Sequence, residues 1–166
     1  MNDRKMVLDG MMGLVVGDAL GCPVQFLGRE ELRERGAVTE MEGYGTYNMP
    51  PSTWTDDSSM ALATLASINE RNGIDLRDIM ERFLDWEFHG AYTPFGKAFD
   101  EGNTCSNAIY KYRDSHDLTT CGETDEYSNG NGALMRILPV CLYFIQKEDI
   151  SDADALRQIH LATGLT

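Results

Sequence analysis

Residues 53–60 read TWTDDSSM and place three consecutive oxygen-bearing side chains directly before an apolar segment. Thr55, Asp56 and Asp57 offer hard oxygen ligands of the kind that Mg²⁺ and Ca²⁺ prefer. The same residues suit a helix start, because Asp57 or Ser58 is a good N-cap and acids in the first turn favour the helix dipole. The stretch therefore predicts a helix from about residue 58, and leaves open whether its acids bind a metal or only cap that helix.

Apolar residues recur at helical spacing on both sides of this stretch. The pattern predicts helices at 4–20, 29–35, 58–71, 75–88, 104–113, 133–146 and 152–163. The first has almost no polar face, so we expect it to be buried, and Gly10, Gly13, Gly17 and Gly21 predict either a close-packed neighbour or the approach of a ligand. The sixth is predicted to bend near Pro139. Since no alternating strand pattern of useful length occurs, the predicted fold class is all-α.

Composition predicts one globular domain over residues 1–166. The chain has 166 residues, 42% hydrophobic and 25% charged, which is enough for a sizeable core. A net charge of −13 argues against non-specific binding of nucleic acid or anionic membranes. Four cysteines without zinc spacing predict free thiols in a reducing compartment. No signal peptide is recognised and no segment approaches the length of a membrane span, so we expect a cytoplasmic protein.

Three further segments place polar residues at turns. Residues 17–26, GDALGCPVQF, end the first helix at a glycine and proline corner, where an acid either faces neighbouring loops or is simply hydrogen-bonded. Residues 99–104, FDEGNT, form a polar turn whose alternative interpretation is a loop capped by Thr104. Residues 127–136, YSNGNGALMR, let backbone N–H groups approach a phosphate at a helix start, or are only a flexible glycine loop.

Together and in this order, GDALGxPVxF, WTDDSSMAL, FDxGNT and GNGALMRxxP resemble the ADP-ribosylglycohydrolase family, from residue 13 to about residue 140. The resemblance implies a fold of bundled, orthogonal helices around a cleft that holds two Mg²⁺ ions, with Mn²⁺ in some members. It also implies cleavage of the glycosidic bond between ADP-ribose and a protein side chain or small acceptor. Carboxylates suit this reaction because they stabilise the positive charge that develops at the anomeric carbon.

The resemblance implies a role for each motif. Thr55, Asp56 and Asp57 match metal ligands, and Asp100 matches an aspartate that acts on the scissile ribose. The diphosphate and adjoining ribose would be bound by Ser128, Asn129, Gly130, Asn131 and Gly132, with Asn103 nearby in the cleft.

Two departures from the family pattern qualify these roles. Many members have a catalytic glutamate where this chain has Gln25, which shifts the expected catalytic role towards Asp100 or a metal-bound hydroxide. Family members also carry a second acidic metal motif near their C-terminus, and this chain stops before it. We therefore expect a domain incomplete at its C-terminus, weak metal binding, and a homodimer formed through the exposed truncated face.

Three functions follow from these expectations. The first is an Mg²⁺-dependent hydrolase that acts on ADP-ribosylated proteins or small ADP-ribosyl conjugates. The second, suggested by Gln25, is a module that binds ADP-ribose or a nucleotide without turnover. The third is a structural protein similar to the crystallins of this family. Hydrolysis would support the first function, binding of ADP-ribose without hydrolysis the second, and no affinity for ADP-ribose the third.

Overall fold

All regular structure in the described part of the chain is helical. A computed structural model describes residues 3–166, so the first two residues of the predicted domain lie outside the described residues. The helices are α1 (Asp3–Gly21), α2 (Arg29–Arg35), α3 (Asp56–Arg71), α4 (Leu76–His89), α5 (Asn103–Ser115), α6 (Gly132–Arg136), α7 (Leu138–Ile145) and α8 (Asp152–Thr163). A 3₁₀ turn at Cys22–Val24 follows α1. No strand occurs in residues 3–166, which confirms the all-α prediction.

Helix α3 lies at the centre of the fold and packs against α1, α4, α6 and α7. Its buried residues are mostly small: Asp56, Ser58, Ser59, Met60, Ala61, Ala63, Thr64, Ser67 and Ile68. Small side chains allow neighbouring helices to approach closely, and the buried hydroxyls of Ser59 and Thr64 donate to the helix's own carbonyl oxygens. Because α3 is central, its first turn is held rigidly.

The main core lies between α3, α4 and α5. Met60, Phe83, Trp86, Ile109 and Tyr112 are completely buried there. The predicted amphipathic pattern of α4 is confirmed for most of its apolar residues, which lie on the face that enters this core, whereas Phe88 is exposed. This packing fixes where α5 begins, and therefore where the turn before it lies.

Helix α1 is less buried than the sequence indicates. Met11 packs with Ala61 and Leu142 in a second cluster, whereas the side chains of Leu8 and Met12 are 60% and 52% exposed. The expectation of a buried helix was therefore wrong for one whole face. Apolar content alone did not reveal this, because a helix can be apolar all round and still have packing partners on one side only.

The glycines of α1 and its length correct two further expectations. Leu142 closely approaches Gly10, whereas no described atom beyond the chain neighbours and the backbone of α1 lies within 4 Å of a Cβ placed on Gly13, Gly17 or Gly21, so a close-packed neighbour accounts for Gly10 alone. The expectation that no segment approaches a membrane span was wrong on length and composition, since the 21 residues Arg4–Val24 are long and apolar enough. Core helices and signal sequences meet the same criterion, so this is weak evidence of a membrane segment.

Three helix ends differ from their predicted positions. The N-cap of α3 is Thr55, rather than Asp57 or Ser58, and the N-cap of α5 is Gly102, so Thr104 lies inside that helix. The predicted bend near Pro139 is a break at Ile137 between α6 and α7. Proline lacks an N–H group and clashes with the preceding turn, so it is best tolerated where a new helix starts.

Candidate functional site

Asp18 of α1 binds the first turn of α3. Its Oδ1 accepts a hydrogen bond from Thr55 Oγ1 at 2.8 Å, and its Oδ2 accepts from the backbone N–H of Thr55 at 2.9 Å. The Oδ2 atom also accepts from Ser58 N at 3.1 Å and Ser58 Oγ at 2.6 Å. A carboxylate at a helix N-terminus satisfies free N–H groups and favours the helix dipole. The acid at the corner of α1 is thus hydrogen-bonded, and it holds the predicted metal-binding turn in place.

Asp56 and Asp57, the first two residues of α3, form an acidic pair whose negative charge is poorly compensated. Burial, followed by the charges of Asp57, Asp100 and Asp18, raises the pKa of Asp56 to about 8. Burial and the charges of Asp18 and Asp100 also raise the pKa of Asp57, although a hydrogen bond from Thr55 opposes this. The described groups acting most strongly on Asp56 are all acidic or neutral. Such a pair favours a bound proton or cation.

Asp100 precedes α5 and has two hydrogen-bond donors on one oxygen. Gln25 Nε2 donates to Asp100 Oδ1 at 3.1 Å, and the Tyr47 hydroxyl donates to the same atom. The other oxygen, Oδ2, is buried and has no hydrogen-bond partner among the described residues. Asp100 also has a φ of +68°, a conformation that few non-glycine residues adopt. An unpartnered buried oxygen and an unusual backbone together indicate a site shaped for a ligand.

An open groove with an aromatic rim lies beside Asp100. The groove is lined by Phe26, Tyr47, Asp100, Glu101, Gly102 and Asn103. Phe26 is 80% exposed and has a φ of +65°, although a bulky side chain disfavours that conformation. Its ring lies edge-on to Tyr47, with 6.3 Å between the centroids. An exposed, strained aromatic residue at the mouth of a groove favours a role in contact with a ligand.

Cys22 connects the Asp100 groove with the first turn of α3. Its buried thiol is affected by the charges of both Asp18 and Asp100, and burial together with those charges raises its pKa to about 11. A thiol that stays protonated at neutral pH is a poor nucleophile. The Cys22 thiol therefore stays protonated at neutral pH and is not predicted to act as a nucleophile.

The predicted glycine loop lies against the start of α5. A Cβ on Gly130 would lie 3.3 Å from Thr104 Oγ1, and one on Gly132 would collide with the sulfur of Cys105. Only glycine permits this approach, so the loop is held next to the turn that contains Asp100. The structure thus brings the FDEGNT and YSNGNGALMR segments together.

Within the glycine loop, two predicted substrate-binding side chains are engaged by the loop itself. Ser128 Oγ donates to Glu123 at 3.0 Å and to Asp125 at 2.8 Å, as alternative partners for a single hydroxyl proton. The amide of Asn129 donates to the carbonyl of Glu126. Asn131 and Asn103 are exposed. The helix that follows has only five residues, so the expected long helix dipole behind this loop was wrong.

Arg136 ends the glycine motif but lies away from solvent. Its guanidinium is almost fully buried and donates to Ala162 O at 2.9 Å and to Thr166 Oγ1 at 2.7 Å. Burial lowers its pKa to about 10. It also lies over the ring of Phe83, 5.2 Å from the centroid. The arginine of this motif therefore ties the end of α8 to the core.

The predicted metal ligands are a partial set. In residues 3–166, no group of three or more His, Cys, Asp or Glu side chains is arranged to hold a metal ion. The predicted trio contains only two carboxylates, since its third member is a threonine hydroxyl already hydrogen-bonded to Asp18. The chemistry of these donors nevertheless fits a hard cation, because the buried Asp56 and the half-buried Asp57 have raised pKa values to which the charges of Asp18 and Asp100 contribute.

Two residues of this site were missed by sequence reasoning. Tyr47 was not recognised, because it lies in a loop without periodicity or motif. Asp18 was noted only as an acid at a corner. Their partners, Asp100 and Thr55, are 53 and 37 residues away along the chain. No local signal identifies such contacts, whereas the motif order does indicate that these segments belong to one site.

Comparisons with known proteins identify the family of this chain. The chain matches the ADP-ribosylglycohydrolase family over residues 1–166. It is 35% identical over 133 residues to an ADP-ribosylarginine hydrolase of Serratia proteamaculans, covering 80% of this chain and 35% of that protein. It is 37% identical over 136 residues to the ADP-ribosyl-[dinitrogen reductase] glycohydrolase of Rhodospirillum rubrum, covering 81% and 43%.

A solved structure shows the same fold. An ADP-ribosylglycohydrolase-related protein complex superposes with a TM-score of 0.72 at 34% identity, covering 96% of this chain and 48% of the other. The chain thus spans from about a third to just under half of the length of these proteins. The match over the whole chain and the shared all-α architecture agree with the resemblance found in the motifs. This chain belongs to the ADP-ribosylglycohydrolase family.

Proposed function

We propose that the protein hydrolyses the glycosidic bond between ADP-ribose and a modified protein side chain, and that this side chain is arginine. The observation that carries the proposal is the Asp100 carboxylate, which lines a groove and keeps one buried oxygen without a partner. A relative named as an ADP-ribosylarginine hydrolase supports arginine as the acceptor. An acidic groove with an exposed aromatic rim also suits a guanidinium group.

Asp100 is the proposed catalytic residue. Departure of the leaving group gives the anomeric carbon positive character, which a nearby carboxylate stabilises. Its Oδ1 stays bound to Gln25 and Tyr47, and its Oδ2, which is buried without a partner, is the oxygen left to accept a hydrogen bond from water or a ribose hydroxyl once a bound substrate has opened the groove around it. Gln25 has no acid or base function of its own, so its contribution is its hydrogen bond to Asp100.

Substrate binding is assigned to the glycine loop and the turn before α5. Asn103 and Asn131 are exposed and offer amide groups, and the backbone around Gly130 and Gly132 lies close to α5. Ser128 and Asn129 are engaged within the loop, so a ligand would have to displace those hydrogen bonds or bind the backbone there. The loop is therefore proposed as a backbone cradle for the diphosphate.

A divalent cation, Mg²⁺ or Mn²⁺, is proposed at the start of α3, held by Thr55, Asp56 and Asp57. The high pKa of Asp56 supports this, because a cation would compensate the buried acids that now repel one another. When bound, such an ion would orient the ribose diol and polarise water. Asp18 keeps the Thr55 hydroxyl oriented, since it accepts that hydroxyl's proton at 2.8 Å.

Release of ADP-ribose from an ADP-ribosylarginine peptide tests the proposal, measured with Mg²⁺ and with EDTA. Hydrolysis that needs Mg²⁺ and is lost in Asp100→Asn supports it. Calorimetric titration with ADP-ribose runs in parallel, because Gln25 also favours the binding-only alternative. Binding without hydrolysis would support that alternative, and no binding in either condition would contradict both.

A further inference from the structure

The loop that carries Tyr47 is attached to the segment that carries Gln25. The backbone N–H of Thr46 donates to Pro23 O at 3.1 Å, and Thr46 Oγ1 donates to Gln25 O at 2.5 Å. A Cβ on Gly45 would collide with the carbonyl of Pro23, so only glycine allows this approach. Tyr47 and Gln25 are therefore brought to Asp100 as one unit.

The ring of Tyr47 is held on two sides. Phe99 lies edge-on to it with 5.4 Å between centroids, and Phe26 does so at 6.3 Å. Such edge contacts limit rotation of the ring and fix the position of its hydroxyl. Burial and the hydrogen bond to Asp100 raise the pKa of Tyr47 well above its ordinary value, so the phenol remains a donor.

Both hydrogen bonds reach the same oxygen of Asp100. The terminal torsion of an aspartate is broad, so an unbound carboxylate rotates and exchanges its two oxygens. Two donors on Oδ1 stop this exchange and define which oxygen remains free. The free oxygen, Oδ2, is the buried atom without a partner.

We propose that Tyr47 is a positioning residue, whose hydroxyl, together with the Gln25 amide, fixes the Asp100 carboxylate through Oδ1 so that Oδ2 keeps a single orientation. This inference rests on the proposed hydrolase function. Tyr47 acts through Asp100 and does not itself contact the reacting atoms. Its effect should therefore fall on turnover, while the affinity for substrate is left nearly unchanged.

The kinetic test compares Tyr47→Phe with wild type on an ADP-ribosylarginine peptide. Losing a hydrogen bond to a charged group is expected to lower kcat by about tenfold to a hundredfold, with KM changed by less than about threefold. Phenylalanine preserves the edge contacts with Phe99 and Phe26, so the loop keeps its packing. The matched control is Tyr44→Phe, an exposed tyrosine of the same loop, which should behave as wild type.

The hydrogen bond has a readout that does not depend on activity. In proton NMR, the Tyr47 hydroxyl should give a slowly exchanging signal, present in wild type and Tyr44→Phe. The signal should be absent in Tyr47→Phe, and in Asp100→Ala it should be lost or exchange rapidly, because the acceptor is gone.

Two results would overturn the inference. One is a wild type without the protected hydroxyl signal, and the other is Tyr47→Phe with full kcat. An active wild type is needed only for the second. If wild type does not hydrolyse the peptide, the proposed function fails, and with it the role of Tyr47 in turnover, whereas the NMR signal still decides whether Tyr47 fixes Asp100.

Discussion

Two buried aspartates in the first turns of neighbouring helices have opposite surroundings. Asp78 of α4 and Asp56 of α3 are 9% and 5% exposed. Asp78 accepts from Arg71 Nη2 at 2.6 Å and from Arg82 Nε at 2.7 Å. The groups that act most strongly on Asp56 include three other acids. The chain thus compensates one buried charge with two arginines and leaves the other beside like charges.

The pKa values of the two aspartates move in opposite directions as a result. Burial alone would raise the pKa of Asp78, but the hydrogen bonds from Arg82 and Arg71 outweigh it and lower the pKa to about 2. Burial and neighbouring acids raise that of Asp56 to about 8. A buried acid that is fully paired stabilises the fold, whereas one left unpaired among acids costs stability and marks a functional site. The opposite pKa shifts therefore distinguish Asp78, which has a structural role, from Asp56, which has a proposed functional one.

The largest expected effect concerns activity. Asp56→Asn should lower Mg²⁺-dependent hydrolysis by about a hundredfold or more, because it removes a proposed metal ligand. Asp78→Asn, assayed where it is fully folded, should keep kcat/KM within about threefold of wild type, since Asp78 is paired with Arg71 and Arg82 in the fold. Initial rates of ADP-ribose release over a range of Mg²⁺ concentrations measure both. Equal losses of hydrolytic activity in Asp56→Asn and Asp78→Asn would contradict the different roles assigned to the two aspartates.

The second effect concerns stability, and here Asp78 should dominate. Asp78→Asn should lower the free energy of unfolding by about 2–3 kcal/mol, because it removes the carboxylate that pairs with both Arg71 and the partly buried Arg82. Urea denaturation at pH 7 measures this change. The matched control is Asp85→Asn, an exposed acid of the same helix, which should stay within about 0.5 kcal/mol of wild type. A loss in the control as large as in Asp78→Asn would contradict the assignment.

The third effect has the opposite sign. Asp56 binds its proton more tightly in the folded state than in the unfolded state. The stability that this proton contributes to the fold is therefore fully present below about pH 4 and is lost as pH rises towards 8. In EDTA, Asp56→Asn should therefore be more stable than wild type by about 1–2 kcal/mol at pH 8, with no advantage at pH 4. Asp78 acts in reverse, since its contribution is present above about pH 4 and is lost as pH falls towards 2.

Thermal or urea unfolding of wild type and Asp56→Asn at several pH values checks this sign. Asp56 Oδ1 accepts from the backbone N–H of Asp57 at 3.1 Å, and asparagine keeps that acceptor. The comparison thus isolates charge from hydrogen bonding. An Asp56→Asn variant less stable than wild type at pH 8 in EDTA would contradict the raised pKa of Asp56.

The smallest expected effect comes from adding one more acid next to Asp100. Gln25→Glu places a carboxylate where an amide now donates to Asp100 at 3.1 Å. We expect a loss of about 1 kcal/mol in stability at pH 8, because a donor becomes a repelling acceptor, and a change in kcat below about tenfold. Urea unfolding and peptide hydrolysis measure these. Hydrolysis that appears only in Gln25→Glu would instead favour the binding-only alternative for the wild type.

Local patterns predicted the helices well and their environments less well. The bounds of α2, α4 and α8 were predicted within a residue or two, because periodicity and turn residues act over a few positions. The exposed face of α1 was missed, since burial depends on which helices pack against it. The break between α6 and α7 was predicted only as a bend, although the proline responsible was identified.

For the candidate site, motif order indicated which segments come together but not how. The sequence by itself determined the all-α class, the family and the acidic, glycine and turn segments, since these depend on residue type and near spacing. Only the tertiary structure decided that Asp18 caps α3, that Tyr47 and Gln25 share one oxygen of Asp100, and that the strongest charges acting on Asp56 in the described residues are those of other acids. The physical reason is distance along the chain. Hydrogen bonds between residues 37 to 75 positions apart, and the pKa values that burial creates, arise only when helices pack.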